Sequence, residues 1–182
     1  AESFTVSDIR VNGLQRVSAG SVFGATCPGC LKVAPSVCKS CVEQILQIKS
    51  SAMSPKFHET SSETIFKNVI VAFGYSKVVR QMILSLKYRN MRSSVTVLGA
   101  ALAERIIQET AISNQKVDFI SWAPTTARRK LERGHDHAEI LARFVAKELH
   151  VPCRGVLRRE TDQPQTGRTR QQRLIGPRFV SR

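Results

Sequence analysis

No stretch of the chain approaches the roughly 20 consecutive apolar residues that a membrane-spanning helix requires. The first 24 residues interrupt their short apolar pieces with Glu2, Asp8, Arg10 and Arg16. Such a pattern leads us to expect neither an anchor nor a secretory signal, and a cytoplasmic setting. Carboxylates are scarce as well: 14 Asp and Glu against 28 Lys and Arg leave a formal net charge of +14 over 182 residues. A surface so positive attracts polyanions, whether phosphates, pyrophosphate, nucleic acid or an acidic membrane. Aromatic rings are missing where nucleic-acid recognition would use them, because the arginine-rich C-terminal stretch contains only Phe179. Stacking of bases has no platform there.

What is present suffices for one globular domain with a modest core and a small appendage, at 42% hydrophobic residues. Residues 1–24 show no sustained period and stay an unassigned leader. Four of the five cysteines fall within residues 25–49, which read as a separate module ending in a short helix from Val42 to Lys49. The serine-rich stretch 50–62 reads as a linker, and the main domain is expected over 63–182.

Within that domain, Val69-Ile70-Val71 predicts a strand over Ile65–Phe73. Val78, Val79, Met82, Ile83 and Leu86 form one helical stripe behind Ser76, a plausible N-cap. A second helix is expected from Ser94 to Glu109. The mostly apolar Val117–Trp122, stopped by Pro124, resembles a strand buried on both faces. A helix starting near Asp136 follows, with Ile140, Leu141, Phe144, Val145 and Leu149 on one face, and then a further apolar patch at Gly155-Val156-Leu157. Strand, basic loop, helix and strand is the rhythm of a parallel α/β sheet. After Arg158 the periodicity is lost.

Cys27-Pro28-Gly29-Cys30 and Cys38-Lys39-Ser40-Cys41 are two C-x-x-C pairs seven residues apart. Each pair can wrap one side of a metal, and four sulfurs satisfy tetrahedral zinc in a closed, structural site. Two alternatives share the spacing. Disulfides are one, against which the missing secretion signal argues; an iron–sulfur cluster is the other. Cys153, alone beside Pro152, reads as a small packed residue rather than a nucleophile.

Residues 123–182 hold 14 basic and 6 acidic side chains, and beyond Cys153 every basic residue is arginine, whose planar fork can pair two phosphate oxygens. The segment Ala123–Glu139 joins a strand to a helix at the sheet edge where α/β proteins bind ligands. Three consecutive cations, Arg128-Arg129-Lys130, followed by Arg133-Gly134, offer charge to an anion there. His135 and His137 are two apart and do not share a helix face, so capping or anion contact suits them better than metal binding.

In the order and separation of these pieces the chain resembles the ComF family, competence-protein relatives of the type I phosphoribosyltransferases. The matching features are the four-cysteine module, Leu86-Lys87-Tyr88, Ala123-Pro124, Arg133-Gly134-His135-Asp136-His137-Ala138-Glu139, and Gln165-Thr166-Gly167-Arg168 with Arg170 and Arg173. They span roughly residues 25–180. His135-Asp136-His137 stands where the family more usually has aromatic-Asn-Gln.

The resemblance implies a phosphoribosyltransferase-type parallel sheet with helices behind a structural Zn²⁺ module. It also implies binding of phosphoribosyl pyrophosphate with Mg²⁺, or of another anionic small molecule. Lys87, Arg128, Arg129 and Arg133 would contact the pyrophosphate, while Gln165, Arg168, Arg170 and Arg173 would lie on a flexible flap. Lys87, at the end of an amphipathic helix, serves equally as a partner for the helix dipole. Family members continue into a strand with two acidic residues and a Thr/Gly-rich turn that wraps the ribose 5-phosphate. No segment here fits that turn, so the domain is expected to be incomplete at its C-terminal end and inactive by itself. A second expectation is a non-catalytic accessory protein that engages DNA or competence proteins through its basic surface and zinc module.

Overall fold

A computed structural model describes residues 8–9, 17–18, 25–49, 69–161, 167, 169, 171 and 176–182. Two compact units divide the chain, one of Ala1–Ala52 with Phe73–Val97, the other of Met53–Ala72 with Leu98–Arg182. The expected 50–62 linker lies outside the described residues.

In the first unit, strands β1 (Asp8–Ile9) and β2 (Val17–Ser18) pair antiparallel, Asp8 opposite Ser18. Helix α1 runs Lys39–Lys49. It starts three residues before the sequence pattern suggests, because Cys41 already points inward from its first turn. Cys41 and Ile45, one turn apart, are 2% and 1% exposed. Helix α2 (Lys77–Arg89) is capped by Ser76, whose hydroxyl accepts from the Val79 amide at 3.3 Å. Asn90 ends it in the left-handed conformation that Asn tolerates better than most residues. Val78, Val79, Met82, Ser85 and Leu86 form its buried stripe, and α2 packs against α1.

Helix α3 (Ser93–Ser113) extends four residues past its expected end. The apolar stripe gives out earlier, since Ile112 is exposed. In the last turn hydroxyls donate back to carbonyls, Thr110 to Ile106 at 2.8 Å and Ser113 to Glu109 at 2.8 Å. Asn114, also left-handed, stops it.

The second unit contains the expected helix after Asp136, α5 (His137–Glu148), and one that was not expected. Helix α4 (Ala127–Arg133) occupies the segment read as a basic loop. The apolar-face reading of α5 holds at Val145, which is 1% exposed, while Ala142 and Ala146 complete the buried face. Ile140, Leu141, Phe144 and Leu149 are half-buried.

The sheet is where sequence and structure part. Among the described residues the strands form two antiparallel pairs: β1 with β2, and β3 (Leu157–Arg159) with β4 (Phe179–Ser181). The parallel sheet expected from the strand-loop-helix rhythm is reduced to one bridge, Ile120 to Cys153. There the Ile120 amide donates to Pro152 O and the Arg154 amide to Ile120 O, both at 2.9 Å. The described part of the expected Ile65–Phe73 strand, residues 69–73, carries no strand. A β-branched run states only a local preference, and a strand forms where a neighbouring backbone accepts its hydrogen bonds. No helix among the described residues is long and apolar enough to cross a membrane.

Candidate metal centre and basic helix

The four module cysteines converge. Their sulfurs lie within 4.8 Å of one another, with Cys30 Sγ and Cys38 Sγ 3.7 Å apart, and all five cysteines are free thiols. A zinc ion bonded to four sulfurs at about 2.3 Å sets them roughly 3.8 Å apart, so one ion fits with small adjustments. A disulfide, with its sulfurs about 2.05 Å apart, is not formed.

The backbone builds the pocket. Cys27 N–H donates to Lys32 O and Leu31 N–H to Cys27 O, both at 2.8 Å, while Leu31 takes a left-handed turn. Two further amides, Gly29 at 3.4 Å and Cys38 at 3.3 Å, point at Cys27 Sγ. Burial works to raise the Cys27 thiol, but the amides of Cys38, Cys30 and Gly29 outweigh it and bring it down to about 6. At Cys41 burial and the neighbouring cysteines act together and hold the thiol above its ordinary range. Gly29 is required by close approach, since a Cβ there would stand 2.8 Å from Cys41 Sγ and 3.0 Å from Val78 Cγ2. The module is also fastened to α2: the Ser85 hydroxyl, fully buried, donates to Pro28 O at 2.9 Å. Nothing in the local sequence announces that link, because its partners are 57 residues apart.

Helix α4 is the second candidate. Thr126, almost wholly buried, caps it by accepting from the Arg129 amide, and Gly134 closes it at φ 71°. Asp136 ties both ends of the segment together, with Oδ1 accepting from the Ala138 amide at 3.0 Å and Oδ2 from the Thr125 amide at 2.7 Å. His135 is buried and its Nδ1 donates to Arg133 O. These residues hold the segment's shape, and the cap of α5 is Asp136 rather than either histidine.

Of the expected anion contacts, Arg128, Arg129 and Arg133 stand together on α4. Lys87 lies in the last turn of α2, in the other unit, and Gln165, Arg168, Arg170 and Arg173 lie outside the described residues. Arg128 reaches Glu132 at 2.8 Å with its side chain 83% exposed, a pairing weak enough to exchange for another anion. Cys153 is half-buried and its thiol is raised, mainly by that burial, which keeps it protonated and unlike a nucleophile.

Glu139 was not singled out from sequence. Its carboxylate takes Lys130 of α4 at 2.9 Å and Arg143 one turn along α5 at 2.9 Å. The Glu139–Arg143 spacing is visible in the sequence, whereas Lys130 is a tertiary partner. The hydrogen bond from Lys130, seconded by Arg143, lowers the Glu139 carboxyl against the opposing effect of burial. A folded-state value below the unfolded one gives stability that is present above the unfolded value, about 4.3, and is lost as pH falls through the folded one. We therefore expect Glu139→Gln to destabilise the chain by about 1 kcal/mol at pH 7, with the gap to the parent closing as pH falls below about 4.3. Urea unfolding at several pH values checks this, and a gap independent of pH refutes it.

No protein-family model, curated protein or solved structure matches this chain.

Proposed function

We propose that the chain is a zinc-centred relative of the ComF phosphoribosyltransferases whose helix α4 binds pyrophosphate or the pyrophosphate end of phosphoribosyl pyrophosphate. The observation that supports this most is the backbone path through Ile120. A segment paired in parallel with residues 152–154 runs through Pro124 directly into α4. In parallel α/β units ligands bind beyond the carboxyl ends of the strands, and α4 follows that end with Arg128, Arg129 and Arg133. Three guanidinium groups on one turn-and-a-half of helix can neutralise a leaving pyrophosphate.

At the other site zinc is favoured over an iron–sulfur cluster by the closeness of the sulfurs. In a four-iron cluster each sulfur binds a different iron, which spreads them. Four protein thiolates leave no open position, so the ion would supply folding energy rather than chemistry. A reducing, cytoplasmic compartment accords with free cysteines. The cysteine cluster is the one group of three or more metal-ligating side chains among the described residues. Any Mg²⁺ would be held by the pyrophosphate and ribose oxygens.

The arginine excess beyond Cys153 supports a second reading, an accessory protein that binds DNA backbones. Calorimetric titration of the full chain with Mg²⁺-pyrophosphate and with phosphoribosyl pyrophosphate at low salt separates the two. We expect saturable binding, weakened at least tenfold in the triple variant Arg128→Gln, Arg129→Gln, Arg133→Gln with its circular dichroism unchanged. If neither ligand binds while duplex DNA does, with affinity falling steeply in salt, the DNA reading replaces the first.

A further inference from the structure

Solvent reaches the four cysteines unequally. Cys27 and Cys41 are 0% and 2% exposed, whereas Cys30 is exposed and Cys38 half-buried. Each C-x-x-C pair thus contributes one buried cysteine and one more open to solvent. The sulfurs of the two more open cysteines come from different pairs and lie 3.7 Å apart. The peptide joining them carries the exposed side chains of Lys32, Val33, Pro35 and Ser36, so a shift there disturbs little side-chain packing, while the bonds from Cys27 N–H to Lys32 O and from Ala34 N–H to Ala25 O hold the neighbouring Cys27 in place. Closing to a disulfide of about 2.05 Å needs a shift of under about 2 Å.

We propose that Cys30 and Cys38 are a peroxide-oxidisable pair whose disulfide ejects the metal. The inference rests on the single-ion reading of the cysteine cluster. A metal-bound sulfur is a thiolate, and the thiolate is the form that attacks a peroxide. Cys30, the more exposed, attacks one oxygen of hydrogen peroxide. An S–O bond forms, the O–O bond breaks and hydroxide leaves, giving the sulfenic acid. The Cys38 thiolate then attacks Cys30 Sγ, the S–S bond forms, the S–O bond breaks and a second hydroxide leaves. The two sulfurs together lose two electrons and the two peroxide oxygens gain them. Only Cys27 and Cys41, two ligands of four, would then remain to hold an ion, too few to retain it.

Release would act beyond the module. Pro28, bonded to Ser85 of α2, and Gly29, in contact with Cys41 and Val78, both lie between the ligands Cys27 and Cys30. The oxidised chain should therefore lose its hold on α2. A dithiol with added zinc should restore both the ion and the contact.

The test starts from the full chain loaded with zinc, its content established by metal analysis. Hydrogen peroxide is added in steps, zinc release is followed with a chromogenic chelator, and the disulfide is located by peptide mass spectrometry. We expect one zinc lost per disulfide formed, the disulfide joining Cys30 to Cys38, and the same release in Cys153→Ser. A disulfide within either C-x-x-C pair, a release that depends on Cys153, or an ion retained after oxidation overturns the proposal while leaving the metal site intact. A chain that loads no metal at the outset overturns the single-ion reading and the proposal together.

Discussion

Removing the metal from the four-cysteine site should unfold α1 and release α2, while α5 stays folded. The physical reason lies in how little else closes that end of the first unit. Cys27, Cys41, Ile45, Val78, Val79, Met82, Ser85 and Leu86 are buried where α1 and α2 meet, and the two cysteines among them belong to the candidate metal site. Without an ion, four sulfurs crowded within 4.8 Å of one another must share protons or repel as thiolates. With one, the binding free energy is folding free energy, about 10–16 kcal/mol in small zinc peptides near neutral pH. No single side-chain contact in the unit competes with that figure. Hydrogen exchange before and after chelation is the decisive measurement. Amides of Lys39–Lys49 and Lys77–Arg89 should lose protection by orders of magnitude, and those of His137–Glu148 should keep it. Cys41→Ser should reproduce the chelated pattern, because it removes a ligand and leaves a hydroxyl buried among sulfurs. Unchanged protection of α1 in the metal-free chain would mean that the cysteines are not a structural centre.

The four-cysteine cluster was legible because spacing is chemistry: two C-x-x-C pairs name a candidate ligand set without any tertiary information. Helices with an apolar stripe and a capping side chain were legible too, as Ser76 and Asp136 show. Helix α4 was not, because periodicity detects a helix through its buried face and α4 has none. Leu131, its apolar residue after Ala127, is 87% exposed. The signals that would have found it are its punctuation, Thr126 in front and Gly134 behind, which bracket seven residues of good helix formers. Strand β4 was out of reach for another reason. Three residues pairing with Leu157–Arg159 from some twenty positions away leave no local mark. Of the expected parallel sheet the described residues carry only the Ile120–Cys153 bridge, because alternation of element types fixes an order along the chain but supplies no hydrogen-bonding partner for each strand.

The packing of α3 on α5 yields the other large expected effect. A Cβ at Gly99 would overlap Phe144 Cδ1 and lie 3.1 Å from both Cγ and Cε1. The ring therefore lies across the helix backbone at the one position without a side chain. Alanine in place of glycine ordinarily stabilises a helix interior by about 1 kcal/mol. Here the overlap opposes it, and it includes Cγ, the ring atom nearest the main chain, so a small twist of the ring does not relieve it. Overpacking of this kind costs about 1–3 kcal/mol, which exceeds the propensity gain. Gly99→Ala should then destabilise the chain, and Gly99→Val more strongly, since its branch adds bulk against the same ring. Phe144→Ala alone should cost about 3 kcal/mol, the low end for a phenylalanine because the ring is half-buried. The informative comparison is with the double variant. With the ring gone, alanine at 99 meets no obstacle and regains its helix preference, so Gly99→Ala should turn from destabilising to stabilising by about 1 kcal/mol. Denaturant unfolding of the parent, the two single variants and the double variant measures the coupling directly, and additivity of the two single effects would show that the ring does not pack over Gly99 in solution.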